Sequence, residues 1–154
     1  MKAMNRDMTS SDFLEALTKV SSKIRTAFNK QVTAHGLTYP RARALFRLAK
    51  KQNMTQSELA CGMELEQATL VRLLDRMEEN RLIERRVDPN DRRVKLIVLT
   101  PHGEEQAALV RAIADRMRAQ IFQGISLEQL HSAVALFEHI SINVTELENI
   151  DASA

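Results

Sequence analysis

The chain has few of the residues that staple or punctuate a fold. One cysteine in 154 residues excludes an internal disulfide framework and a thiolate zinc cluster, and it fits a reducing compartment. Four Gly and three Pro leave few turns, and aromatic residues are only 4% of the chain, which starves a β-sandwich and suits helices. No apolar run approaches the roughly 18 residues of a spanning helix, and no signal-peptide pattern opens the sequence. A soluble, cytoplasmic protein without a membrane partner is expected. No Ser/His/Asp arrangement, phosphate-cradling Gly loop or CxxC is present, so the expectation is no enzyme and no cofactor. His35, His102, His131 and His139 do not cluster, and the last two lack carboxylates at ligand spacing, so no metal site is expected.

What is present is ordinary globular material, 44% hydrophobic and 27% charged. A chain of this length buries roughly 70% of its unfolded surface, enough for a core without staples. It has room for one domain, or a small domain plus a dimerisation element. The formal net charge of +2 hides an asymmetry: residues 1–40 carry +3, residues 41–100 carry +4 and residues 101–154 carry −5. A basic middle beside an acidic tail is the layout of a chain that sets one end against a polyanion, although solvated helix faces carry charge as well.

Apolar periodicity organises the rest. Phe13, Leu17, Val20, Ile24, Phe28 and Val32 step by three and four, which predicts a helix over about Ser11 to Thr33. Asp12 and Glu15 imitate a capping box at its start, and Gly36 is a stop. A second helix is predicted from Arg41 to about Lys51, after Pro40. Thr55-Gln-Ser-Glu58 is a full capping box, so a short third helix begins there and ends near Gly62. A fourth covers about Glu66 to Glu79 with Leu70, Leu73, Leu74 and Met77 inward. Leu82–Val87 and Val94–Leu99 are β-branched runs around Asp88-Pro-Asn-Asp-Arg-Arg93, a hairpin with a charged tip. Thr100-Pro101 starts a helix to about Phe122, and Ser126-Leu-Glu-Gln129 caps a last one through Leu130, Val134, Phe137, Ile140, Val144 and Leu147.

The fold class is therefore mainly α with a small β-hairpin wing. Residues 37–100 read as a winged helix-turn-helix, and residues 1–36 and 101–154 as a helical dimerisation lobe. The terminal helices offer more apolar stripe than three helices consume, so a homodimer interface is expected through Phe13, Leu17, Phe122, Leu130, Val134, Phe137 and Val144.

The stretch Leu65 to Asn80, then Leu82-Ile-Glu-Arg-Arg86, Asp88-Pro-Asn-Asp-Arg-Arg93 and Leu99-Thr-Pro-His-Gly103, resembles the MarR family of bacterial transcription regulators. Gln67 to Arg72 and Gly124 to Gln129 look closest to its SlyA-like branch. The resemblance implies a homodimer, a winged-helix lobe on double-stranded DNA with a palindromic operator, and in many members release by a small phenolic or other anionic effector. Two positions depart from the family's pattern. Glu64 and Arg81 stand where Gly is usual, on either side of the fourth helix, with Gly62 two residues before Glu64. A helix end there wants positive φ, which Asn tolerates and Arg adopts at about 1 kcal/mol or more, so Asn80 is expected to take the strained position or the helix end to shift.

A recognition helix in the major groove presents its first residues to base edges. Here the outward face carries Gln67, Ala68, Thr69, Arg72 and Arg76. Arg72 is placed for a bidentate contact to guanine, worth about 1–3 kcal/mol of discrimination, and the family's pattern gives it that role; its structural reading is a surface salt bridge to Asp75 or Glu79. Gln67 reads adenine or a phosphate, and Ala68 and Thr69 meet a thymine methyl. At the wing, Arg92 and Arg93 are positioned for a narrow minor groove, with Asp91 bracing a guanidinium. The family's pattern makes Arg93 the inserted residue and Asp88 or Asp91 its acidic partner, against a merely solvated hairpin tip. Thr55, Gln56 and Ser57 are phosphate anchors at a helix N-terminus, or simply a cap. Arg41, Arg43, Lys50 and Lys51 are backbone contacts or a solvated face. Cys61 is expected to be a buried, inert thiol. Arg25, His35 and Tyr39 sit near the junction where the resemblance implies an effector pocket, each with a structural alternative. The rival reading is a winged-fold protein-interaction module, which expects Arg72 and Arg93 to be paired with acids.

Overall fold

The computed structural model describes residues 2–152, with side-chain detail from Arg6 to Ala152. In chain order the elements are α1 (Lys2–Ala34), α2 (Tyr39–Lys50), β1 (Met54–Thr55), α3 (Gln56–Met63), α4 (Gln67–Glu79), β2 (Ile83–Val87), β3 (Lys95–Leu99), α5 (Pro101–Ile121) and α6 (Leu127–Ala152). This is the mainly helical, winged architecture read from the sequence. Contacts divide the chain into two compact units, one running to Met117 and the other beginning at Arg118.

In the first unit, α1 begins well before the expected Ser11 because no Gly or Pro interrupts residues 2–35. Asp12 and Glu15 therefore lie inside the helix instead of capping it, and Glu15 pairs with Lys19 at 2.6 Å. Gly36, at φ +79°, ends α1 with Leu37 N–H on Val32 O and Gly36 N–H on Thr33 O, both 3.0 Å. α2 starts at Tyr39, two residues earlier than expected, because Pro40 is tolerated in a first turn.

The capping box of α3 is complete: Glu58 N–H donates to Thr55 Oγ1 at 3.1 Å and Thr55 N–H to Glu58 Oε2 at 3.2 Å. The helix does not stop at Gly62. It continues to Met63, and Glu64 takes the left-handed turn at φ 54° while Leu65 N–H reaches Ala60 O. The end of α4 departs from expectation in the same way. Arg81, at φ 58°, is left-handed and Asn80 is not. Buried Leu82 sets this register by donating its N–H to Met77 O at 2.9 Å, which puts Arg81 at the strained place. Asn80 turns its amide to Arg76 O at 2.6 Å.

β2 and β3 form the expected antiparallel hairpin, each starting one residue inside its predicted run, with Ile83 opposite Leu99 and Val87 opposite Lys95. A third strand was not expected: Met54 and Thr55 pair with Ile97 and Leu96, giving the order β1-β3-β2. Leu45, Leu48, Leu59, Met63, Leu70, Leu74, Met77, Ile83, Ile97 and Ile113 are fully buried between the helices and this sheet. Each such side chain contributes about 1.5–3 kcal/mol. Gly103, in the first turn of α5, faces the carbonyl of Leu82 so closely that no side chain fits.

The second unit carries α6, capped reciprocally by Ser126 and Gln129: Gln129 N–H donates to Ser126 Oγ at 3.1 Å and Ser126 N–H to Gln129 Oε1 at 2.9 Å. No described residue of α6 is buried, and Val134, Phe137, Val144, Leu147 and Ile150 are exposed. No helix among the described residues is long and apolar enough to cross a membrane.

Candidate nucleic-acid interface

α4 turns Leu70, Leu74 and Met77 into the core, and its period of 3.6 then leaves Gln67, Ala68, Thr69, Arg72 and Arg76 in solvent. Arg72 makes no ion pair or hydrogen bond among the described residues. Asp75, the nearest acid in sequence, is occupied elsewhere: it accepts from Arg85 of β2. The same guanidinium meets Glu78 Oε2, with Nη2 at 2.7 Å and Nε at 3.0 Å. The bond to Asp75, with help from Glu78, holds the Arg85 proton more firmly than in an ordinary arginine. Its side chain is only 17% exposed. Arg85 thus ties α4 to the wing, a role that a strand arginine in isolation did not signal.

The start of α3 meets the start of α4. Gln67 Nε2 donates to Ser57 Oγ at 3.3 Å, and Gln56 Nε2 to Gln67 Oε1 at 3.4 Å. Thr55, Gln56 and Ser57 share a shallow cavity of about 300 Å³ with Arg93, Val94 and Lys95. The Thr55 hydroxyl serves the capping box, and Glu58 also pairs with Lys51 at 3.3 Å. Its carboxyl is held below the ordinary glutamate value, first by the Thr55 N–H and then by Lys51.

At the wing tip Asp91 Oδ1 accepts the Arg93 N–H at 3.0 Å and lies 3.4 Å from Arg93 Nε. Asp88 instead accepts the Asn90 N–H at 2.9 Å and shapes the loop. The Arg93 side chain is 92% exposed, and Arg92 is exposed beside it. At the base of the wing, Thr100 Oγ1 accepts the Gly103 N–H at 3.0 Å and donates to Arg81 O.

A second feature lies between α1, α2 and α5 within the first unit. It is a cleft of about 450 Å³ whose lining includes Arg25, Arg43, Arg47, Lys50, Phe28, Tyr39 and Phe46, with no acidic side chain. Phe28 and Tyr39 meet edge to face at 5.9 Å and 75°, Arg43 lies 5.8 Å from the Tyr39 ring centre, and Lys50 lies 5.0 Å from that of Phe46. Of the three residues expected together here, Arg25 and Tyr39 line the cleft. His35 does not; its Nδ1 sits 2.9 Å from Gln31 O, one turn back on α1. The abundance of cations on α2 was legible, but the face they share was not.

Cys61 is exposed, contrary to the expected burial, because the inward positions of α3 are taken by Leu59, Ala60 and Met63. The residues expected at a dimer interface are partly or fully accessible: Phe13, Leu17 and Leu130 are half-buried, while Phe122, Val134, Phe137 and Val144 are exposed. Among the described residues no group of His, Cys, Asp and Glu could hold a metal ion.

Comparison with known proteins agrees with this geometry. The MarR family model matches residues 37–95, from the turn after α1 to the first residue of β3. The transcriptional regulator PA3341 is 32% identical, with a TM-score of 0.80 over 87% of this chain and 98% of that one. A MarR family transcriptional regulator from Rhodococcus sp. RHA1 is 26% identical, with a TM-score of 0.72 over 85% of this chain and 94% of its own. MepR of S. aureus, solved as a DNA complex, shares the fold at 22% identity, with a TM-score of 0.74 over 83% and 93% of the two chains. Sequence, topology and these likenesses converge, and the chain belongs to the MarR family.

Proposed function

We propose that the chain is a sequence-specific transcription regulator that binds double-stranded DNA. It acts in the cytoplasm as a homodimer on a palindromic, A·T-rich operator and is released by a small anionic or phenolic ligand. The observation that carries the reading is Arg72: a solvent-facing guanidinium near the start of α4, with no partner of its own, beside Gln67, Ala68 and Thr69. A free arginine fork at that place matches guanine N7 and O6. Arg93, oriented by Asp91, supplies the minor-groove contact from the wing. The DNA complex of MepR, built on the same fold, supports the assignment. The exposed apolar row of α6 supports a second copy as its cover, with recognition helices about one helical turn, ~34 Å, apart. The cationic, aromatic cleft supports an anionic ligand. The segments Gln67–Arg72 and Gly124–Gln129 favour the SlyA-like branch.

The protein-interaction alternative expects both arginines to be paired. Arg93 meets that expectation and Arg72 does not, and an ion pair as exposed as Arg93–Asp91 stabilises little. The test is selection from random duplex DNA, followed by anisotropy titrations over several salt concentrations. Wild type should enrich a palindrome, Arg72→Ala should relax base choice by about 1–3 kcal/mol, and Arg93→Ala should weaken all sites and lower the salt slope. Binding without any enriched sequence would defeat the regulator reading.

A further inference from the structure

The cleft and the turn that aims α4 share a side chain. Arg43 forms part of the cleft wall, and its Nη2 donates to Met63 O at 3.2 Å. Met63 is the last residue of α3. Its carbonyl is one that a helix leaves unsatisfied at its C-terminus, where a cation is also favoured by the negative end of the dipole. Arg47, from the same wall, lies along the same helix end: a Cβ on Gly62 would stand 3.1 Å from its Nη1. The next residue, Glu64, is left-handed at φ 54°, and α4 begins at Gln67. A non-glycine residue in that conformation persists only while its surroundings over-determine it. Among those surroundings are the Arg43 bond and the amides of Glu64 and Leu65, which reach Cys61 O at 3.1 Å and Ala60 O at 3.0 Å.

We propose that Arg43 is a clamp shared between ligand and reader. Empty, the cleft leaves Arg43 capping α3; filled by an aromatic carboxylate, it draws the guanidinium away from Met63. The competition favours the ligand, since a carboxylate accepts a charge-assisted, two-pronged bond where Met63 offers one neutral carbonyl. The ring of the ligand lies against Tyr39 and Phe46. Loss of the cap frees the left-handed turn and with it the aim of α4. Coupling then needs no path beyond the two residues between Glu64 and Gln67. This inference rests on the ligand-released DNA-binding reading above and names how that release is transmitted.

The test uses the full chain with benzoate as the probe. Hydrogen exchange of the Glu64 and Leu65 amides is followed with and without benzoate, alongside affinity for the selected duplex. Benzoate should raise exchange at both amides at least fivefold and weaken DNA binding in parallel. Arg43→Gln should show the raised exchange and an at least fivefold weaker DNA affinity without benzoate, and benzoate should add nothing more. Arg43→Lys, which keeps a charge and one donor, should recover part of the protection. Release of DNA by benzoate with the two amides unchanged in wild type overturns the clamp and leaves ligand release standing. Benzoate that leaves DNA binding intact removes ligand release and the clamp together. Failure to select any sequence would remove the DNA-binding reading itself.

Discussion

The carbonyl oxygen of Leu82 stands 1.9 Å from where a Cβ of Gly103 would be. The first turn of α5 is thereby pressed onto the exit of α4, where Thr100 N–H also bonds Leu82 O at 3.1 Å. Backbone cannot yield here as a flexible side chain would. Gly103→Ala should destabilise the protein by about 3 kcal/mol, lowering Tm by roughly 10 °C. Differential scanning calorimetry decides the matter; a variant melting within about 2 °C of wild type would show that the two segments part easily.

Arg85 neutralises two carboxylates in the last two turns of α4, where the dipole already disfavours negative charge. Arg85→Ala should lower stability by about 1–3 kcal/mol, since charged hydrogen bonds are lost on a largely covered side chain. It should also weaken DNA binding, because β2 and α4 lose their common anchor. A double-mutant cycle with Asp75→Asn should return a coupling of about 1 kcal/mol, and strict additivity would mean the pair is incidental.

Glu58 predicts an acid-side effect. Its folded carboxyl is held below the ordinary value by the Thr55 N–H and by Lys51, so the folded state favours its ionised form. That stabilisation is complete above the ordinary glutamate pKa, about 4.3, and fades as pH falls through the lower folded value. Thermal melts between pH 7 and pH 3 should show Glu58→Gln below wild type at neutral pH and the two curves converging in acid. A constant gap across that range would refute the assignment.

Val134 and Val144 lie on the exposed apolar row of α6. If a second copy covers that row, Val134→Glu and Val144→Glu each place an unpaired charge in the interface and should yield monomers by sedimentation velocity. Dimers that persist in both variants would put the interface elsewhere.

Cys61 should react completely with a maleimide in the native protein, since its side chain is exposed. Labelling that requires denaturant would contradict the outward orientation of that face of α3.

Local rules made the helices legible. Apolar steps of three and four, the Thr55–Glu58 box and Pro101 gave α2 to α5, β1 excepted, to within a residue or two. The Ser126–Gln129 box gave the start of α6, and the solvent-facing side of α4 followed from the buried positions of its core side. What stayed hidden depends on partners distant in sequence. Two residues, Met54 and Thr55, hold too little pattern to announce a strand whose partner lies more than forty positions on. Arg85 looks like any strand arginine until Asp75 and Glu78 are seen beneath it. The left-handed turn fell on Arg81 against the local preference of Asn80, because burial of Leu82 outweighs about 1 kcal/mol of backbone strain. The cleft gathers residues from three helices, which no single stripe reveals.

The strand order β1-β3-β2 has a consequence for synthesis. β3 is the middle strand, so neither β1 nor β2 has a partner before it arrives. During translation, α3 and α4 therefore emerge and wait without the sheet that later braces them. Pairing of Met54 with Ile97 becomes possible only once the far side of the wing has left the ribosome. A nascent chain halted before Lys95 would display α4 without the strand that completes the sheet beside it.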